Sequence, residues 1–196
     1  MDAVRRILGI LLVVALPPAI AYWLVVHPFV RRWRRLDVRV TYALLTLFMG
    51  GLGVLLFTIR KLLLGRDLGT NWPLTAVGAV LYLMAVAISL LCRTQLSLKT
   101  FVGMPDVSSS TTPGILLQSG IYGVIRHPRY LSIILATIGL ALIANHLGVY
   151  LLLVVCLIGL WPLIIAEERE LVSRFGPAYT AYRSRVPALL PRFRRW

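Results

Sequence analysis

Five apolar runs, each closed by a cluster of cations or a turn, set the pattern of this chain: 7–26, 40–59, 74–92, 130–144 and 149–166. A span of ~20 apolar residues crosses a bilayer as a helix, so the pattern predicts an all-α, polytopic membrane protein with about five transmembrane helices. Pro17-Pro18 predicts a kink in the first run, which neighbouring helices tolerate. That run opens after Arg5-Arg6 and continues past Ala19-Ile20-Ala21 into a basic loop, so it reads as a retained span and not a cleaved leader. Gly50-Gly51 and Gly53 in the second run suit close helix packing better than a phosphate loop, because nothing polar follows them. The fourth and fifth runs are separated only by Asn145-His146-Leu147-Gly148, which predicts a tight antiparallel hairpin. Its small face at Ala136, Thr137, Gly139 and Ala141 would allow close approach of the fifth run.

Between the third and fourth runs lies the longest polar stretch, from Arg93 to Arg126, with Ser108-Ser109-Ser110-Thr111-Thr112-Pro113-Gly114 composed as a loop. A loop of that length in a compact membrane protein is usually functional or disordered, not mere spacing. After Ala166, Leu171, Phe175, Tyr179, Tyr182 and Val186 recur every three or four residues among arginines. That is an amphipathic interfacial helix, broken at Gly176-Pro177 and ending in the basic aromatic tail Arg192–Trp196.

Composition strengthens this picture. Hydrophobic residues make up 59% of the 196 positions and charged ones 14%, a balance foreign to soluble domains. One domain, 1–196, accommodates all the runs, with no room for a separate soluble nucleotide-binding unit. The net charge of +14 would suggest nucleic acid in a soluble protein. Here it reads as basic loops on an anionic leaflet, with membrane lipids as the partner. Segments 31–39, 93–129 and 169–195 hold 16 cations, against five at Arg5, Arg6, Arg60, Lys61 and Arg66. The positive-inside rule then makes the C-terminus cytoplasmic. Small size and Arg-rich loops suggest a bacterial-type inner membrane. Cys92 and Cys156 sit inside apolar runs as packing residues, and His27, His127 and His146 show no metal-ligand spacing.

Candidate chemistry gathers at one edge. The hairpin brings Arg126-His127-Pro128 beside Glu167-Glu168, so His127, Tyr130 and Glu167 line one cleft. Pro128 suits a first helical turn, whose free N–H groups can meet an acceptor atom. Tyr122 and Tyr130 offer aromatic faces, and Glu167 can offset a ligand's positive charge. Adjacent helical residues point ~100° apart, so one of the two glutamates faces away and pairs with a nearby arginine.

The series Leu116-Leu117-x-x-Gly120-x-Tyr122, Arg126-His127-Pro128-x-Tyr130 and Glu167-Glu168-x-x-Leu171-x-x-x-Phe175-Gly176-x-x-Tyr179-x-x-Tyr182-x-x-x-Val186-Pro187 resembles the isoprenylcysteine carboxyl methyltransferase and phospholipid methyltransferase family. The resemblance covers the C-terminal ~80 residues, within a core of about 114–187. It implies a membrane-embedded methyltransferase that uses S-adenosylmethionine and acts on a lipophilic acceptor. It also implies cofactor binding by Leu116, Leu117, Tyr122, His127, Pro128, Tyr130 and Glu167; no catalytic residue is assigned. One departure concerns the acceptor. Prenylcysteine carboxyl methyltransferases have an Arg four residues before the first Glu, where this chain has Leu163. A lipid amine, a hydrophobic thiol or another lipophilic acceptor is left open. Membrane sterol-type reductases that bind NADPH share a similar C-terminal pattern and are the alternative enzyme class; a non-catalytic NnrU-like membrane protein is the other.

Overall fold

The computed structural model describes residues 1–26, 33, 36–95 and 116–191. Apart from Trp33, the basic loop 31–35 lies outside them, as do the Ser108–Gly114 stretch and the Arg192–Trp196 tail. The described residues form an all-helical bundle: α1 (Asp2–Val26), α2 (Val38–Thr58), the short α3 (Arg60–Leu64), α4 (Trp72–Arg93), a 3₁₀ turn (Gly120–Gly123), α5 (Pro128–Ala144), α6 (Leu147–Phe175) and α7 (Pro177–Arg185).

Four of these, α1, α2, α4 and α6, are long and apolar enough to cross a membrane. The fifth apolar helix, α5, has 17 residues and is ~25 Å long, a little short of a ~30 Å hydrocarbon core. Exposed Leu47, Leu62, Ile158 and Trp161 clothe the outside of the bundle, as expected where the solvent is lipid.

Several helices outrun the apolar stretches that announced them, because polar residues cap them. Asp37 accepts a hydrogen bond from the Arg39 amide at 2.8 Å and starts α2, and Asn71 accepts one from the Leu74 amide at 3.1 Å to start α4. The last helical break falls where the sequence placed it. Gly176, at φ 56° and ψ −130°, ends α6 and turns the chain into α7, a backbone conformation that only glycine adopts without strain. Helix α6 carries no break at Ala166: the span and the first half of the amphipathic segment are one 29-residue helix.

The packing of α5 corrects one expectation. Its small face meets α4 more closely than α6, and α4–α5 is the most extensive helix pair. A Cβ on Gly139 would stand 2.5 Å from the Gly78 carbonyl oxygen, and one on Gly78 would stand 2.5 Å from that of Gly139. The reason is steric. Two glycines face each other across α4 and α5, whereas α6 offers Val149, Leu153 and Cys156 to its neighbours. Ser89 donates to Ser132 at 3.2 Å across the same pair, a hydrogen bond that in lipid has no water to compete with it. Ala141 and Ala144 instead join Leu12, Val13, Leu64, Val149 and Leu153 in a core shared by α1, α3, α5 and α6.

Polar clusters mark the two ends of the bundle. At one end Arg5, 1% exposed, donates to Asp2 at 3.1 Å, to Asp67 and to the Asn145 carbonyl at 3.4 Å. Asn145, in the left-handed region at φ 51°, closes α5, and its side chain donates to the Gly69 carbonyl at 2.8 Å. The opposite end carries the candidate site.

Candidate functional site

At that end the turn before α5, the end of α6, and α7 enclose a cavity of about 220 Å³. Local sequence explains how each wall is held. Pro128 opens α5, so the main chain before it is free to pair elsewhere, and the Arg126 and His127 amides donate to the Pro187 and Ala188 carbonyls, both at 2.9 Å. The segment after α7 is thereby strapped across the start of α5. Tyr182 adds a second tie, donating its hydroxyl to the Tyr122 carbonyl at 2.6 Å.

All seven residues that the sequence singled out line this cavity: Leu116, Leu117, Tyr122, His127, Pro128, Tyr130 and Glu167. The remainder of the wall is Arg126, Arg129, Leu171, Arg174, Phe175, Tyr179 and Tyr182. The two tyrosines stood in the sequence as part of an amphipathic helix and of the resembling motif series, but not as site residues. Their three-residue spacing places both on the face that α7 turns inward, 1% and 3% exposed.

The two glutamates divide the work as the 100° offset requires. Glu168 turns away from the cavity and takes three donors: Arg126 Nη2 lies 2.6 Å from its Oε1, His127 Nε2 donates to the same oxygen at 3.1 Å, and Arg183 Nε stands 3.3 Å from Oε2. Glu167 faces the cavity. Its Oε2 is buried and accepts no hydrogen bond among the described residues; His127 Nδ1 is near it at 3.7 Å, beyond hydrogen-bond reach. The Tyr179 hydroxyl is likewise buried without a hydrogen-bond partner among the described residues. Burial raises the phenol pKa values of Tyr122 and Tyr179 above the ordinary range and pushes that of Tyr182 up to about 12, so all three stay neutral donors at physiological pH.

A cavity with an unpartnered carboxylate oxygen, an unpartnered phenol, three arginines and aromatic walls is suited to a zwitterionic ligand with a flat, apolar part. Comparison with known proteins decides the family. The model described as phospholipid methyltransferase matches residues 74–178, more than half of the chain. The chain belongs to the phospholipid methyltransferase family. The match runs from α4 into α7 and holds every cavity residue except Tyr179 and Tyr182, which lie just past its end.

Curated relatives include the cobalt-zinc-cadmium resistance protein CzcN of Cupriavidus metallidurans, 29% identical over 71% of this chain and 61% of its own length. The protein-S-isoprenylcysteine O-methyltransferase of Schizosaccharomyces pombe is 35% identical over 39% of this chain and 33% of its own length. The nickel-cobalt-cadmium resistance protein NccN of Alcaligenes xylosoxydans xylosoxydans is 30% identical over 39% and 36%. The chain therefore spans between a third and three fifths of the relatives it matches. No solved structure gives a significant match. Family membership and the methyltransferase relative together support a methyltransferase in the membrane.

Proposed function

We propose that this protein transfers the methyl group of S-adenosylmethionine to a lipophilic acceptor, with the donor held in the cavity between α5, α6 and α7. The observation that carries this reading is a pair of buried polar atoms on the cavity wall, Glu167 Oε2 and the Tyr179 hydroxyl, with no hydrogen-bond partner among the described residues. A buried carboxylate oxygen without a partner is costly, and a ligand with a cationic group beside a hydrogen-bond acceptor removes that cost. S-adenosylmethionine fits the donor set: Glu167 for positive charge, Arg174 for a carboxylate, Tyr122 and Tyr130 for a purine face.

The donor when bound supplies an activated methyl on a sulfonium. The protein's part is to bind, orient and exclude water. Glu167 stabilises the positive charge of the reactant state, and that charge is lost from sulfur as the methyl departs. A carboxylate against it therefore contributes binding more than rate. His127 is held by Glu168 and its own amide, so it fixes the start of α5 and the position of Tyr130. The strap at Pro187–Ala188 holds the Arg126–His127 backbone at the start of α5, so the protein contributes chiefly by holding donor and acceptor in position.

The acceptor is best read as a lipid amine or a hydrophobic thiol. Leu163, one turn before Glu167, is 1% exposed and packed with Ile20, Tyr130, Cys156, Leu160 and Ile164, so it gives an acceptor carboxylate no cation. Entry is sideways from the lipid. Sixteen cations favour the cytoplasmic leaflet for the site's end of the bundle, against five for the other.

The methyltransferase relative and the family match favour this reading over NADPH-dependent reduction. The test is to incubate the purified protein with methyl-labelled S-adenosylmethionine and a bacterial lipid extract. Label entering the organic phase, and lost in Glu167→Gln, supports the proposal. No label, with NADPH oxidised instead, moves the reading to the reductase class.

A further inference from the structure

The end of the bundle opposite the methyl-transfer cavity contains a second cavity, of about 470 Å³, lined by Arg6, Arg60, Lys61, Asp67 and His146 with Ile10 and Leu64 as its apolar part. Charge at this end is unbalanced in a specific way. Two carboxylates are present, and Arg5 engages both: Asp2 at 3.1 Å, and Asp67 as a second partner. Thr70 also donates to Asp2 at 3.1 Å, and the Gly69 amide donates to Asp67 at 2.9 Å. Arg6, Arg60 and Lys61 face the cavity with no carboxylate partner among the described residues. Arg60 is also fixed in place. Its Nη1 donates to the Phe57 carbonyl at 2.6 Å and its guanidinium lies 3.9 Å over the Phe57 ring, so little freedom is lost when it binds an anion.

We infer that this cavity is a binding site for the phosphate of an anionic phospholipid headgroup, on the membrane face opposite the methyl-transfer site. Its position sets the ligand class. Arg60 and Lys61 follow the 21 residues of α2 after Ile59 alone, and Arg6 lies in the first turns of α1, so the three cations stand at the level where headgroups meet acyl chains. Ile10 and Leu64 supply the apolar side that an acyl chain follows and a free phosphate ion does not. A zwitterionic headgroup brings its own cation among three others and is disfavoured. The occupant would tie α1 to α3 at an end where Arg5 already ties α1 to the α3–α4 turn.

The experiment is thermal unfolding of the detergent-purified protein, titrated in turn with dioleoylphosphatidylglycerol, dioleoylphosphatidylcholine and inorganic phosphate. It is run on the wild type, on the double variant Arg60→Gln/Lys61→Gln, and on Arg6→Gln. Phosphatidylglycerol is expected to raise the Tm by about 5 °C at ~100-fold excess over its dissociation constant. Phosphatidylcholine should fall well short of that, and each variant should lose most of the shift. Phosphatidylglycerol stabilising the double variant and Arg6→Gln as strongly as the wild type would overturn the proposal. So would equal stabilisation by phosphatidylcholine. A full shift from millimolar inorganic phosphate would overturn the lipid as the source of the anion.

Discussion

Arg126 and Glu168 form an ion pair at 2.6 Å with both side chains about nine-tenths buried, and this pair anchors the wall between α5 and α6. Glu168 also accepts from His127 and stands 3.3 Å from Arg183, so three side chains, two from the start of α5 and one from α7, converge on it. Its removal leaves a buried guanidinium uncompensated. Glu168→Ala should cost about 3–5 kcal/mol, read from denaturant unfolding in micelles. Glu168→Gln should cost less, because an amide oxygen still accepts from Arg126.

The neighbouring glutamate should behave in the opposite way. Glu167 Oε2 has no hydrogen-bond partner among the described residues, so Glu167→Gln should leave the unfolding midpoint unchanged or slightly raised. Affinity for the methyl donor should fall by at least about tenfold, the equivalent of ~1.4 kcal/mol. In steady-state kinetics the loss should appear in KM for the donor more than in kcat, since the carboxylate acts on the reactant's charge. A large fall in kcat at unchanged KM would contradict that role.

Gly139→Ala should destabilise the protein by about 1–3 kcal/mol, although Gly→Ala within a helix is ordinarily favourable by ~0.5–1 kcal/mol. The sign reverses because the new methyl group meets the Gly78 carbonyl oxygen at 2.5 Å, and backbone cannot move aside cheaply. Gly50→Ala is the matched comparison. Nothing lies within 4 Å of a Cβ there, and its unfolding midpoint should hold or rise.

Alkaline pH should loosen the strap over the cavity. Burial lifts the Tyr182 phenol from its ordinary value of 10.0 to about 12. The folded state thus favours the protonated form, and its contribution is complete below pH 10. It is lost as pH rises through 12, at about 1.4 kcal/mol per pH unit for this group. Unfolding midpoints measured from pH 8 to 12 should fall in that window, and the fall should be shallower in Tyr182→Phe.

The parts legible in the sequence were those set by local chemistry. Apolar runs located the spanning helices, Gly176-Pro177 located the last turn, and the 100° step between Glu167 and Glu168 anticipated that one would face the ligand and the other an arginine. Features fixed by distant residues were not legible. Arg5 read as a loop charge, yet it is buried because Asp67 and the Asn145 carbonyl come to it from 62 and 140 residues away. The Gly78–Gly139 contact was hidden for the same reason: either glycine alone shows a small surface, and only the fold names its partner. At the site, Tyr179 and Tyr182 were read as the apolar face of an interfacial helix, since spacing tells which face a residue occupies but not what that face covers.

The most direct test of the account is calorimetric titration of S-adenosylhomocysteine into the detergent-purified protein, alongside Glu167→Gln and Tyr179→Phe. The account predicts one site per chain in the wild type, and clearly weaker binding in both variants while their unfolding midpoints hold. Undiminished binding in both variants would remove the donor from the cavity between α5, α6 and α7. No binding in the wild type, with NADPH bound instead, would contradict methyl transfer itself.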